Sequence, residues 1–374
     1  MMLRAASLMS LATLVLAACS DRPAPPPAAA SAPVPGAQTV DDVRPLKSLA
    51  GFPIGVAVPA DPWPHSLLGS PERQAIVRRH FDSLTAENAM KMKYLQPGRG
   101  EFVFQHADAL VAWALRNDLA VHGHTLVWHN QAPEWINGLD APPNTFEETL
   151  TMHVRTVAGH FAGKVASWDV VNEAFTDESP IEYRDTIWYR NLGADYIELA
   201  FRQAHAAAPD ADLYYNDYDI SGAIGPDKLD RILVMVDDFL SRDVPIDGIG
   251  FQMHVDTESP GMDAIRSAFA KVVARGLKVK ITELDVSVNQ KERLTALDPA
   301  TAVLQRHRYA DVVRAYVETV PAGLRAGITV WGLTDGDSWI PGFRDRADWP
   351  LLFSADFAAK PALAGFAEGL RADK

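Results

Sequence analysis

Trp168-Asp-Val-Val-Asn-Glu-Ala174 and Ile281-Thr-Glu-Leu-Asp285 each carry a short apolar, β-branched run that stops at a glutamate, Glu173 in the first and Glu283 in the second. A parallel strand buried on both faces reads as near-continuous hydrophobics, and in a barrel it releases its functional side chain at the C-terminal end. Working outward, six more such runs are found: Pro53 to Val58, Ser83 to Glu87, Ala120 to Val127, Asp212 to Asn216, Gly248 to Gln252 and Gly327 to Trp331. With Ser167 to Val171 and Lys278 to Glu283 they make eight strands. Helical patterns alternate with them: Pro71 to His80, Ala107 to Asn117, Phe146 to Phe161, Ala194 to Ala208, Lys228 to Arg242, Met262 to Arg275, Ala300 to Val320 and Pro361 to Arg371. The alternation predicts an α/β chain closing a single (β/α)8 TIM barrel over residues 46–374. A doubly wound open sheet would want a Gly-rich phosphate turn after an early strand, and the sequence has none.

The chain has 374 residues, 48% of them hydrophobic, with nine Trp, nine Tyr and fifteen Phe, enough apolar material for one large core. Its net charge of −13 and lack of a Lys/Arg cluster argue against a nucleic-acid partner. No Gly-x-Ser-x-Gly elbow is present to support a serine hydrolase.

Residues 1–19 read as a targeting segment. Arg4 supplies the positive end, Leu8 to Leu16 is apolar but too short to span a bilayer, and Leu16-Ala-Ala-Cys19 resembles a bacterial lipoprotein signal. Cys19, the only cysteine, is then the expected lipidation site, leaving a mature chain without thiol or disulfide. Residues 20–45 are rich in Pro and Ala, as in Pro23-Ala-Pro-Pro-Pro-Ala28, and read as an extended, disordered tether. Ser20 rather than Asp after the cysteine favours the outer membrane. The expectation is an exported monomer that meets the membrane only through this anchor.

The predicted strand ends gather chemistry on one face. The second gives Glu87-Asn-Ala-Met-Lys91, the third His124 and Trp128, the fourth Asn172 and Glu173, and the fifth Tyr214-Tyr-Asn-Asp217. The sixth gives Gln252 and His254, the seventh Glu283 and Asp285, and the eighth Trp331 followed by Asp335-Gly-Asp-Ser-Trp339. A lone buried Trp is usually core and a lone His usually structural; convergence is what argues for function. Indole faces beside amides, a lysine and carboxylates suit a sugar ring, which has an apolar face and a polar rim. Two glutamates are the minimum equipment for cleaving a glycosidic bond.

Five of these segments, in order, are similar to those of the family 10 glycoside hydrolases, chiefly endo-1,4-β-xylanases: Glu87 to Lys91, Gly123-His-Thr-Leu-Val-Trp-His-Asn-Gln131, Trp168 to Ala174, Ile281 to Asp285, and Trp331-Gly-Leu-Thr-Asp-Gly-Asp-Ser-Trp339. The resemblance runs from about Leu49 to Leu370. It implies a TIM barrel that hydrolyses β-1,4-linked xylan with retention of configuration, without a cofactor or a metal. By this match Glu173 is the acid/base, which must hold its proton as substrate arrives, and Glu283 is the nucleophile, which must stay ionised. The carboxyl groups of such a pair stand about 5 to 5.5 Å apart. His254, with Asp285 behind it, matches the network that orients the nucleophile, and Gln252 the partner of the acid/base. Asn172 matches the residue that bonds the sugar 2-hydroxyl. Glu87, Asn88, Lys91, His124, Trp128, Trp331 and Trp339 match the subsites for the two xylose units before the cleaved bond. Met92 stands where the family usually has Trp, which predicts local repacking without lost catalysis. The stretches Ile181 to Asn191 and Val286 to Asp298 are where substrate preference can diverge.

Two rival readings come from other classes. His122 and His124 alternate on one strand near His129, the spacing of barrel metallohydrolases. Strands four and five, however, end without the Lys or His that such centres need, and no HExxH or cysteine cluster occurs. A non-catalytic glycan-binding lipoprotein is the other, and it is disfavoured because such proteins typically lose a catalytic carboxylate, whereas both are present.

Overall fold

The computed structural model describes residues 44–222 and 227–373. The predicted signal segment, Cys19 and the tether up to residue 43 lie outside them. Among the described residues there are nine strands: β1 (Ile54–Val58), β2 (Ser83–Ala86), β3 (Ala120–Trp128), β4 (Ser167–Asn172), β5 (Asp212–Asp217), β6 (Gly248–Phe251), β7 (His254–Asp256), β8 (Lys278–Ser287) and β9 (Arg325–Val330). Eight of them run β6-β5-β4-β3-β2-β1-β9-β8, and a β6–β8 pairing closes the ring. The pairs are parallel throughout. The strands of the closed ring are largely buried; in β1 all five residues are. This is the predicted (β/α)8 barrel.

One strand was not anticipated. After β6 the chain bends at Met253, in the left-handed region at φ 59°, and resumes as β7, which pairs with the outer part of β8 through His254↔Asp285, Val255↔Val286 and Asp256↔Ser287. β8 accordingly runs four residues past Glu283, where the predicted strand ended. Three residues carry too little periodicity to be read as a strand from sequence. The register slips between His124 and Val127 on β3, between Asp169 and Val171 on β4, and between Ile281 and Leu284 against β9. Such bulges re-aim side chains and concentrate beside functional sites.

All eight predicted helices are present, from Pro71–His80 to Pro361–Leu370, with ends within a few residues of expectation. Local chemistry fixes their starts. Ser70 Oγ accepts the Arg73 N–H, and Asp298 Oδ1 accepts those of Ala300 and Thr301 at 2.9 Å, with Pro71 and Pro299 opening the two helices. The last two long helices, Pro299–Thr319 and Pro361–Leu370, meet at Gly365, where a Cβ would lie 2.0 Å from the Arg306 carbonyl oxygen. Short helices at Met92–Leu95, Glu134–Asn137, Ile187–Leu192 and Ile340–Arg344 lie in the loops beyond the strand ends.

Candidate active site

Glu283 sits at the register slip of β8, 4% exposed, with its N–H bonded to the Gln252 carbonyl at 3.1 Å. Its Oε1 accepts the Asn216 amide at 2.9 Å and lies 3.9 Å from His124 Nδ1. Its Oε2 lies 3.4 Å from His254 Nε2. The other nitrogen of His254 is 2.9 Å from Asp285 Oδ2, which also accepts the Trp339 indole N–H at 2.9 Å. Burial opposes a charge on His254, but Asp285 and Glu283 outweigh it and raise the imidazole to about 10, so the ring is cationic at neutral pH and donates from both nitrogens. Burial likewise pushes Glu283 up, yet His124 and the bond and charge of His254 hold its carboxyl below the usual range. Glu283 is therefore an ionised, desolvated carboxylate.

Glu173 directly follows β4, with φ 58°, left-handed for a non-glycine residue. The backbone there is clamped at several points. Its N–H donates to the Asn216 carbonyl at 3.0 Å, Arg184 Nε donates to its carbonyl at 3.2 Å, and the next N–H, of Ala174, donates to the Tyr215 hydroxyl at 2.9 Å. The carboxylate receives the Trp128 indole N–H at 2.8 Å on Oε2 and the amides of Gln252 and Asn172 at 2.9 and 3.0 Å on Oε1. Asn216 joins the two acids. Its amide nitrogen donates both to Glu283 and, at 2.8 Å, to Asn172 Oδ1, while its own oxygen accepts the Thr282 hydroxyl at 2.7 Å, which fixes the amide's orientation.

The other residues singled out from sequence join this network. Asn88 donates to Glu87 Oε1 at 3.2 Å and accepts from Lys91 Nζ at 3.1 Å; the Lys91 ammonium lies 5.0 Å from the centre of the Trp128 ring. Burial lowers the Lys91 ammonium's pKa, against the opposing charges of Glu283, Glu87 and Glu173. The His124 ring meets Trp331 edge-on at 5.2 Å. Two contacts refine the reading from sequence. Trp128, expected against a sugar, also holds Glu173, and His124 is tied to Asp169 at 2.8 Å. His122 completes that arrangement, with Nε2 3.0 Å from the same Asp169 oxygen and Nδ1 2.7 Å from Ser167 Oγ. The alternating histidines thus bracket one carboxylate. Met92 is buried at the start of a short helix, as part of the hydrophobic core.

Several residues escaped the sequence reading. Asn216 lay within a quoted strand end and could have been found by the rule that found Asn172. Asp169, on β4 within the quoted Trp168 to Ala174 segment, holds His122 and His124. A further web braces Glu173 from behind: Lys228 Nζ lies 2.8 Å from both Asp177 and Asp217, Asp217 accepts the Tyr215 hydroxyl at 2.7 Å, and Arg184 and Tyr218 both donate to Asp177. Burial lifts the Asp217 carboxyl to about 6 in spite of Lys228, and the charge of Glu173 adds to the rise. Tyr215 and Asp217 lay within the quoted end of the fifth strand, whereas Asp177, Arg184, Tyr218 and Lys228 come from loops and a helix start, and no motif announced them.

The model of glycosyl hydrolase family 10 matches residues 46–369, nearly the whole described chain. The chain belongs to glycosyl hydrolase family 10. Family relatives include an endo-beta-1,4-xylanase of Cellvibrio japonicus, 45% identical over 88% of this chain and 58% of its own length. An endo-1,4-beta-xylanase B of Paenibacillus barcinonensis is 36% identical over 83% of this chain and 92% of its own. The chain spans less than three fifths of the length of the two Cellvibrio relatives it matches. Among family 10 structures, a mutant xylanase 10C from Cellvibrio japonicus in complex with xylopentaose superposes with a TM-score of 0.86 at 44% identity, covering 90% of this chain and 71% of that one. Native xylanase 10B from Thermotoga maritima gives 0.80 at 36% identity, covering 87% and 98%.

Proposed function

We propose that this family 10 chain is an endo-1,4-β-xylanase that cleaves β-1,4-xylosidic bonds by double displacement. The observation that carries the reading is the unequal pair of acids coupled through Asn172 and Asn216. Glu283 is kept charged by an imidazolium, and Glu173 is fixed by neutral indole and amide donors. In the first step the Glu283 carboxylate attacks the anomeric carbon, the bond to the leaving oxygen breaks, and Glu173 gives that oxygen its proton. Water then attacks the glycosyl-enzyme while Glu173 takes a proton from it, and Glu283 departs as a carboxylate. Asn172, bonded to Glu173 and linked to Glu283 through Asn216, takes in this reading the role of bonding the sugar 2-hydroxyl as positive charge builds. The xylanase relatives and the xylopentaose complex support xylan as the substrate class. Proton NMR of the first-formed product tests the reading: β-configured reducing ends that later equilibrate are expected, and α-configured ends would overturn retention.

We infer from Leu16-Ala-Ala-Cys19 and the Pro/Ala-rich stretch after it that the enzyme is exported and lipid-anchored at Cys19, and works as a tethered monomer at the outer membrane.

A further inference from the structure

The peptide unit that joins Glu173 to Ala174 is held on both of its polar groups. Its carbonyl accepts Arg184 Nε at 3.2 Å, and its N–H donates to the Tyr215 hydroxyl at 2.9 Å. Each of these holders leads on to a carboxylate. Arg184 Nη2 donates to Asp177 Oδ2 at 3.2 Å, and the Tyr215 hydroxyl donates to Asp217 Oδ2 at 2.7 Å. The two paths then meet. Lys228 Nζ lies 2.8 Å from Asp177 Oδ1 and 2.8 Å from Asp217 Oδ1, so one ammonium closes a ring of contacts whose far side is the backbone of the acid.

Lys228 lies in the first turn of the helix Asp227–Ser241 and is 1% exposed. Its third contact is the Tyr218 carbonyl at 3.2 Å, which gives each ammonium proton an acceptor and leaves none for a sugar hydroxyl. Burial opposes the charge, but Asp217 and Asp177 outweigh it and raise the ammonium above its usual value. A buried ion pair is weak evidence for stability, because apolar side chains of similar volume often serve as well. What distinguishes this one is where its two arms end. Glu173 is left-handed at φ 58°, a conformation that a non-glycine residue keeps only where its surroundings over-determine it. Its carboxyl meets Trp128, Gln252 and Asn172 from that backbone, so any turn of the peptide unit re-aims it.

We propose that Lys228 is a positioning residue for the acid/base: through Asp177 and Arg184 on one arm, and Asp217 and Tyr215 on the other, it fixes the Glu173–Ala174 peptide and with it the aim of the Glu173 carboxyl. The inference rests on the xylanase reading and gives the helix after β5 a part in the reaction. A displaced Glu173 fails both in protonating the leaving oxygen and in deprotonating the incoming water, while attack by Glu283 is left as it was. The loss therefore depends on the leaving group, which a general weakening of the fold does not produce.

The test compares Lys228→Met and Tyr215→Phe with the unaltered enzyme on xylohexaose, whose leaving group needs a proton, and on 2,4-dinitrophenyl β-xylobioside, whose leaving group does not. In Lys228→Met, kcat/KM on xylohexaose is expected to fall about ten- to hundredfold, and that on the aryl substrate to stay within about twofold. On the aryl substrate kcat should fall, because water still needs the base, and added azide should restore it with formation of β-xylobiosyl azide. Azide attacks the glycosyl-enzyme without giving up a proton. Tyr215→Phe removes only the hydroxyl between Asp217 and the Ala174 N–H, and keeps the test open if Lys228→Met does not fold. It should shift the ratio of the two kcat/KM values in the same direction by about threefold or more. An unchanged ratio in either folded variant, including equal loss on both substrates, would overturn the proposal. If the unaltered enzyme cleaves neither substrate, it is the xylanase reading that fails.

Discussion

Asn216 shows how one buried amide sets the terms for two acids. It donates to Glu283 and to the Asn172 oxygen, and its carbonyl is held by Thr282. Asn216→Ala removes a bond to a charged group, worth about 1.5–3 kcal/mol, and strands a buried Thr282 hydroxyl. We expect kcat on xylan to fall roughly 10- to 150-fold with a much smaller change in KM; steady-state kinetics reads the split. His254 makes a prediction in pH. Its imidazole is raised from 6.5 in the unfolded chain to about 10 in the folded one, so its contribution to stability is complete below pH 6.5 and is lost as pH rises from there through 10. Thermal melting of the native chain should show that decline, and His254→Asn should flatten it. The acid side differs, because the Glu283 carboxyl is held below the ordinary range and so stays ionised as pH falls through 4.5.

Among the elements, the strands were legible because each is a short apolar run cut off by polar chemistry, and both glutamates could be placed by that rule alone. β7 was not, since its three residues are strand only by virtue of the longer β8 beside them. Likewise the web of Asp177, Arg184, Tyr218 and Lys228 depends on loops meeting in space, which no spacing along the chain encodes. The family resemblance supplied roles for Gln252, His254 and Asn172 that isolated side chains could not have carried, while Trp128 shows the limit of that transfer, since its N–H holds the acid itself. Packing between elements gives its own test. Gly365 lets the Pro361–Leu370 helix lie against the backbone of Pro299–Thr319, and a methyl there would collide with the Arg306 carbonyl, not with a yielding side chain. Gly365→Ala should destabilise by about 1–3 kcal/mol despite the better helix propensity of alanine, seen as a lower Tm with activity at 25 °C retained.

At the scale of the whole molecule, the barrel brings strand ends from β2, β3, β4, β5, β6, β8 and β9, with the short β7, to one cleft and leaves its other end to stability. The proposed anchor adds a location. Cys19→Ala should move the protein from the membrane fraction to the soluble exported fraction and abolish fatty-acid labelling, with turnover on soluble xylan unchanged; a membrane-bound, unlabelled native protein would contradict it. What unites the barrel, the acids and the proposed substrate is the division of labour between Glu173 and Glu283. Its most direct test is a 2-deoxy-2-fluoro xylobioside with a good leaving group, which slows both displacements but lets the first outrun the second. Mass spectrometry of the inactivated enzyme and its peptides should find one 2-deoxy-2-fluoro-xylobiosyl group on Glu283, released on addition of a sugar acceptor. An adduct on any other residue, or turnover with no adduct formed, would contradict the account.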